Sequence, residues 1–193
     1  DTGFGKRAAY LDLNTVEHVD RLKERVSEAD VFVQSYSPGA LARRGFGPED
    51  LAAIRPGIIY VSVNAWGHEG PWAMNRGFDP ESQAVVGIAA AEGTLEDPKR
   101  LPTLLLNDYL SAFLGTAGVL SAMLRRAEEG GSYHVKLSLA RTGMWVQDLG
   151  LVSEEALATP PVIQPPRMAS MPTPYGQFDH LMPATRFSET TAF

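Results

Sequence analysis

The pair Asn107-Asp108 is the feature of this sequence best suited to chemistry, because it stands at the predicted start of a long apolar helix. The first turn of a helix offers unpaired backbone N–H groups and the positive end of the helix dipole. A carboxylate at that position fits two roles. It can cap the helix, or it can stay ionised in a pocket and serve as a nucleophile. Local chemistry alone does not separate the two.

Other residue types that often carry catalysis are absent or scattered. The chain has no cysteine, which excludes disulfides, thiolate metal sites and a cysteine nucleophile. The four histidines are spread along the chain, so we expect surface or core histidines and no metal site. The sequence contains no P-loop, no G-x-S-x-G elbow and no His-Glu-x-x-His motif.

Length and composition describe a chain that forms a real core. It has 193 residues, of which 44% are hydrophobic and 21% are charged. Its 17 basic and 23 acidic residues give a net charge of −6 without a basic cluster, so we expect neither nucleic acid nor an anionic membrane as a partner. No apolar run is long enough to span a membrane and no signal peptide is visible, from which we expect a cytoplasmic protein.

The elements that position these residues alternate between strand and helix. Strands are predicted over residues 6–12, 30–33, 58–63 and 134–139. Helices are predicted over residues 16–26, 48–54, 80–91 and 108–126. The last of these helices carries one apolar stripe of Leu110, Phe113, Leu114, Ala117, Leu120 and Leu124. This alternation predicts an α/β fold with a parallel sheet and right-handed crossovers.

The amino-acid composition of the chain changes after about residue 150. Residues 159–174 contain six of the 14 prolines, which is typical of a linker or an extended wrapping arm. We therefore assign residues 1–150 to one domain and residues 151–193 to a Pro-rich linker and C-terminal segment. The chain begins at Asp1 without a methionine, which is consistent with a piece of a longer protein.

Six stretches in the same order resemble the family III CoA-transferases, the CaiB/BaiF family that includes formyl-CoA transferase and alpha-methylacyl-CoA racemase. They are residues 6–13, 30–45, 64–71, 76–87, 106–109 and 130–138. The resemblance covers about residues 5–145 and implies a Rossmann-like open parallel sheet with flanking helices. The family's opening β-α-β unit and its small second domain have no counterpart here. The sheet should therefore be incomplete at its N-terminus, and the Pro-rich arm should replace the small domain.

The same resemblance implies that Asp108 is a nucleophile. In the family this aspartate attacks an acyl-CoA thioester to form a mixed anhydride, and CoA passes through an aspartyl thioester to a carboxylic acid. Coenzyme A, entering as acyl-CoA, is the implied ligand, and no metal is implied. Family members form interlocked dimers, so we expect a homodimer or association with the rest of a longer protein, with residues 150–193 wrapping the partner.

Residues that bind CoA or support the nucleophile also follow from the resemblance. The implied CoA contacts are Leu11, Ser35, Tyr36, Ala40, Arg43, Arg44 and Arg76. Tyr36 would pack against adenine, and Arg43 or Arg44 would meet a CoA phosphate, although this stretch also reads as a surface turn. Asp79 and Gln83 would lie on the loop and helix that face the nucleophile, where they also read as cap and helix-surface residues.

Departures from the family pattern keep two alternatives open. Phe78 stands where the racemase branch has a histidine base, which makes a racemase the less favoured alternative. Ser35, Lys136 and Arg141 replace the residues usual in the family. These replacements favour a non-catalytic CoA-binding or dimerisation half, such as the second copy found in longer, duplicated members.

Overall fold

The computed structural model describes residues 6–101, 105–158, 163–183 and 188–189. The chain divides into two compact units, a larger one over Leu11–Leu151 and a smaller one formed by Asp1–Tyr10 and Val152–Phe193. Each unit is described by itself. Among the described residues, no helix is both long enough and apolar enough to cross a membrane.

The larger unit is built from three strands and six helices within its described residues. The strands are β1 (Val31–Gln34), β2 (Ile59–Asn64) and β3 (Tyr133–Ser138). The helices are α1 (Val16–Ser27), α2 (Pro48–Ile54), α3 (Asp79–Val85), α4 (Ile88–Ala91), α5 (Leu106–Glu129) and α6 (Leu139–Asp148), with a 3-10 turn over Ala42–Arg44. All three strands are parallel in the order β1-β2-β3, which confirms the α/β prediction.

The central strand β2 divides the core into two layers because its side chains alternate between the faces of the sheet. Tyr60 packs on one face with Phe46 and Leu51, in a cluster supplied by α1, α2 and the preceding turns. Ile59 and Val61 pack on the other face, against α5. Helices therefore cover both faces of this sheet, as expected for buried parallel strands.

Helix α5 contacts the sheet through small residues. A Cβ atom built on Gly115 would lie 2.8 Å from Leu137 Cδ1, and one built on Gly118 would lie 2.7 Å from Val135 Cγ1. Of the apolar stripe predicted from the sequence, Phe113 and Leu124 face outward, at 73% and 70% exposed, whereas Leu110 and Leu114 are half-buried. The close contact with the sheet is made at the glycines, where a larger side chain would overlap the strand residues.

Substituting Gly118 by leucine should therefore destabilise the fold by about 1–3 kcal/mol, because the new side chain overlaps the stiff side chain of Val135. The matched control is Ala117→Leu, which adds a side chain to an exposed position of the same helix and should change stability by less than about 0.5 kcal/mol. Chemical denaturation measures both. Equal stabilities for the two variants would contradict the close helix–sheet contact.

Several sequence expectations were wrong in detail. Residues 6–12 form no strand, because no described strand pairs with them. The strand predicted over residues 30–33 forms, and the short apolar run had also indicated burial on both faces. It lies instead at an edge of the sheet and leaves Val33 64% exposed. The helix predicted over residues 80–91 divides into α3 and α4 at Gly87, whose φ of 88° is left-handed and ends the first helix.

The described part of the smaller unit contains a short helix and a β-hairpin. Helix α7 covers Glu154–Leu157, and β4 (Met168–Thr173) pairs antiparallel with β5 (Gly176–Leu181). The Pro-rich stretch predicted as a linker is thus partly a strand. Pro172 is compatible with it because a two-stranded ribbon has an unpaired edge where no N–H is needed. Residues 159–162, 184–187 and 190–193 lie outside the described residues.

Candidate active site

Asp108 lies in the first turn of α5 and is one of the residues that line a cavity. This cavity has a volume of about 460 Å³ and mostly apolar walls. Its lining includes Ser35 after β1, Val61 and Val63 of β2, and Gly115 of α5. Residues of α5, β1 and β2 thus share this cavity, and Asp108 is one of its lining residues.

Asp79 fixes the backbone of Asp108 from a neighbouring helix. It is the first residue of α3 and is only 1% exposed. Its Oδ2 accepts a hydrogen bond from the backbone N–H of Asp108 at 2.8 Å, and its Oδ1 accepts one from Gln83 Nε2 at 2.5 Å. The Asp79 side chain therefore caps α5, because it accepts a hydrogen bond from a backbone N–H that has no acceptor within α5.

The electrostatic surroundings raise the pKa of the Asp108 carboxyl group. Burial is the larger cause, and the charge of the nearby Asp79 adds to it. Both act in the same direction because each disfavours a negative charge at this position. A more basic carboxylate is a better nucleophile, and it loses that ability when the pH falls through its pKa.

A buried polar network holds this arrangement and was missed by the sequence analysis. Asn107 Nδ2 donates to Ser82 Oγ at 2.9 Å, and Ser82 Oγ donates to the carbonyl of Asp79 at 2.9 Å. Ser111 and Thr142 share a hydrogen bond of 2.8 Å between α5 and α6. The available signal was the spacing of Asn107 and Ser111, which puts two small polar side chains on one helix face.

A second cavity, of about 210 Å³, contains two of the predicted CoA contacts, Tyr36 and Ala40. Tyr60 and Ser62 also line it, whereas Val61 lines the cavity beside Asp108. Because successive strand residues point to opposite sides, the two cavities open on opposite faces of the sheet, and Val63 near the end of β2 borders both. The neighbouring residues Ser35 and Tyr36 are accordingly divided between them.

Two of the histidines that are scattered in the sequence meet in this second cavity. Ser62 Oγ lies 2.6 Å from His68 Nε2 and 2.7 Å from His134 Nε2. Sequence spacing gave no sign of this cluster, since 72 positions separate Ser62 from His134. Within the described residues, no group of three or more histidine, aspartate or glutamate side chains is arranged to hold a metal ion.

The remaining predicted CoA contacts line neither of these two cavities. Leu11 is partly buried, and Arg43, Arg44 and Arg76 are exposed. Arg44 Nη2 donates to the Asn14 side-chain oxygen at 3.0 Å. The larger unit therefore brings Asp79, Gln83 and Ser35 to Asp108, and leaves these four residues apart from it.

Comparison with known proteins gives a consistent result. The family model for CoA-transferase family III matches residues 2–179. The acetyl-coenzyme A transferase nodX of Hypoxylon pulicicidum is 36% identical over 162 residues, which are 80% of this chain and 27% of that protein. The acetyl-CoA:oxalate CoA-transferase of Acetobacter aceti is 32% identical over 136 residues, which are 70% of this chain and 35% of that protein.

The fold has solved counterparts as well. The crystal structure of a CAIB/BAIF family protein from Brucella suis is similar with a TM-score of 0.71 and 26% sequence identity, over 90% of this chain and 48% of that chain. The chain spans about a quarter to a third of the length of the two curated relatives named above and about half of the solved structure.

Proposed function

The chain belongs to CoA-transferase family III, and on that premise we propose that it transfers CoA from an acyl-CoA to a carboxylic acid, with Asp108 as the nucleophile. The two relatives named above are CoA-transferases by name, and one of them acts on acetyl-CoA and oxalate. The substrates of this chain are accordingly proposed as a class, a short acyl-CoA together with an acceptor carboxylic acid.

The observation that carries this proposal is the position of Asp108 between an apolar cavity and a buried carboxylate. Its backbone is held by Asp79 Oδ2 at 2.8 Å, and Asp108 is one of the residues that line the cavity. A residue that only capped α5 would turn its carboxylate onto the helix N–H groups. Here Asp79 accepts the N–H of Asp108, and among the described contacts the Asp108 carboxylate makes no hydrogen bond to a helix N–H.

The reaction exchanges one acyl bond for another at each step. An Asp108 oxygen attacks the thioester carbonyl, the C–S bond breaks, and a mixed anhydride and CoA thiolate result. The thiolate then attacks the aspartyl carbonyl and releases the first acyl group as its carboxylate, leaving an aspartyl-CoA thioester. The acceptor carboxylate attacks that thioester to give a new anhydride and thiolate. Attack of the thiolate on the acceptor's carbonyl yields the new acyl-CoA and restores Asp108.

An anhydride is rapidly hydrolysed in water, so these intermediates need a site that excludes water. Val61, Val119 and Leu137 form apolar walls beside Asp108, which is itself exposed, and we propose that the bound acyl group completes the exclusion of water. The cavity volume of about 460 Å³ suffices for a short acyl group. We further propose that the CoA nucleotide lies toward Tyr36 and Ala40, and that residues 150–193 contribute to a dimer.

The experiment is intact-mass analysis of the full chain after incubation with a panel of short acyl-CoAs. Hydroxylamine traps an anhydride or thioester as a hydroxamate, and borohydride reduces it, so each leaves a defined mass change. We expect the change in the wild-type chain and in Asp20→Asn, an exposed aspartate of α1, and its absence in Asp108→Ala. A CoA titration followed by thermal shift is run on the same samples.

Two results would contradict the proposal. A mass change that persists in Asp108→Ala would assign the covalent chemistry to another residue. No mass change with any acyl-CoA, combined with a thermal shift by CoA, would identify a non-catalytic CoA-binding half instead.

A further inference from the structure

The Ser62–His68–His134 cluster is a polar centre that takes no part in the aspartyl chemistry. Ser62 lies on the central strand and is only 4% exposed. Its hydroxyl group is the meeting point of two imidazole Nε2 atoms, at 2.6 Å and 2.7 Å. The cluster lies in the cavity of Tyr36 and Met74, on the sheet face opposite Asp108.

The positions of the protons in this cluster determine which hydrogen-bond donors and acceptors it offers to a ligand. The serine hydroxyl has one proton, so it donates to one imidazole and accepts an N–H from the other when both rings are neutral. One ring then carries its second proton on Nδ1, and the other has a free Nδ1 lone pair. Uptake of one proton at that Nδ1 turns it into a second N–H donor of the same ring and leaves both hydrogen bonds of Ser62 in place. The cluster is therefore prepared to gain a positive charge and an additional donor.

The charges around the cluster favour an anion over a cation. Ser62 pairs with Lys136 in the parallel register of β2 and β3, which puts the lysine on the same sheet face. Among the described residues that line the cavity there is no aspartate or glutamate. A metal ion would meet two imidazoles, a nearby ammonium group and no carboxylate, which is a poor ligand set.

We propose that Ser62, His68 and His134, assisted by Lys136, form a binding site for a phosphate group. The aromatic ring of Tyr36 and the thioether of Met74 border the same cavity, so a phosphate ester carrying an apolar or aromatic group fits better than a bare ion. The ligand is either a phosphate of CoA or a free phosphate compound. This site does not depend on the aspartyl chemistry proposed above.

Occupancy of this site should depend on pH. Burial is the main cause that lowers the pKa of both His68 and His134, and the charge of Lys136 lowers both further. The carboxylates of Glu69 and Glu49 oppose this, and the other imidazole adds to it at His134. A bound phosphate dianion offsets the unfavourable charge, so binding raises the pKa of the pair and takes up a proton. Affinity should therefore rise as the pH falls.

The test is calorimetric titration of the full chain with inorganic phosphate, CoA and dephospho-CoA, at about pH 6 and about pH 8. Two buffers of different ionisation enthalpy report the net proton uptake, and the difference between the wild type and the histidine variants below removes the titration of the phosphate itself. We expect at least one phosphate-bearing probe to bind about tenfold more tightly at the lower pH, with proton uptake. Substitutions His68→Gln and His134→Gln keep a hydrogen-bonding side chain and should each abolish the uptake and weaken binding about tenfold.

Two further variants separate the site from general effects. Lys136→Gln removes a charge without touching the Ser62 hydrogen bonds and should weaken binding at both pH values. His18→Gln makes the same substitution in α1, outside the cavity lining, and should leave affinity and proton uptake unchanged. A CoA preference over dephospho-CoA that disappears in His68→Gln would identify the 3′-phosphate of CoA as the ligand. Binding of inorganic phosphate alone would identify a free phosphate compound.

The proposal is overturned if no probe binds, or if both histidine variants bind every probe as the wild type does. The acyl-CoA mass experiment is independent of this outcome. An Asp108-dependent adduct together with unaltered phosphate binding in the histidine variants would reject this site and leave the transfer reaction standing.

Discussion

Asp108→Asn is expected to abolish CoA transfer while leaving the fold intact. The amide has nearly the same shape, and the backbone N–H that Asp79 accepts at 2.8 Å is unchanged. An amide oxygen is a far weaker nucleophile than a carboxylate, so we expect the transfer rate to fall by about a thousandfold or more.

Stability should change little in the same variant because two contributions oppose each other. Loss of the negative charge removes the repulsion from Asp79, and it also removes a favourable interaction with the start of α5. We expect the melting temperature to stay within about 2 °C of the wild type. Steady-state transfer assays and thermal unfolding on the same samples check both statements. A transfer rate within tenfold of the wild type would reject Asp108 as the nucleophile.

Asp79→Ala should damage both the fold and the reaction. The substitution leaves the buried partners of the carboxylate, the Asp108 N–H and Gln83 Nε2, without the acceptor they use. An unsatisfied buried donor costs about 1–3 kcal/mol, so we expect a loss of stability in that range. The first turn of α5 also loses its restraint, and transfer should fall by about tenfold to a hundredfold.

Asp79→Asn separates the charge of this residue from its hydrogen bonds. Its amide oxygen still accepts from the Asp108 N–H, so the bond that holds the first turn of α5 is kept. Without the charge of Asp79, the pKa of the Asp108 carboxyl group should fall, since that charge is the second cause that raises it. Because Asp108 must be ionised to attack, the acid limb of the pH–rate profile should move to lower pH. An unmoved limb would show that Asp79 acts only as a structural cap.

Local sequence patterns were enough to predict the helices and strands whose ends depend on nearby residues. Helix α2 begins at Pro48 and ends at Ile54 as predicted, since proline favours a first turn and Pro56-Gly57 prevents continuation. The β-branched run of β2 was equally clear. The motif resemblance also selected Asp108, Asp79 and Gln83, which the structure brings together.

The sequence pattern did not predict which face of α5 packs against the sheet. Its large apolar residues suggested one stripe, yet Gly115, Gly118 and other small residues contact the sheet. The amphipathic pattern of a helix identifies its apolar face. The distance between the helix and the sheet then decides whether large or small side chains fit between them. That distance depends on how the helices and the sheet assemble, so no short stretch of the sequence determines it.

What the sequence determined by itself was therefore the parallel α/β class, and its motif resemblance predicted which carboxylates react. Only the tertiary structure decided how those carboxylates are held, because the contacts join distant positions. Asp79 meets the backbone of Asp108 across 29 positions, and Ser62 meets His134 across 72. Parallel strands bring such residues together only when the intervening helices pack on the sheet, since each crossover returns the chain to the same edge.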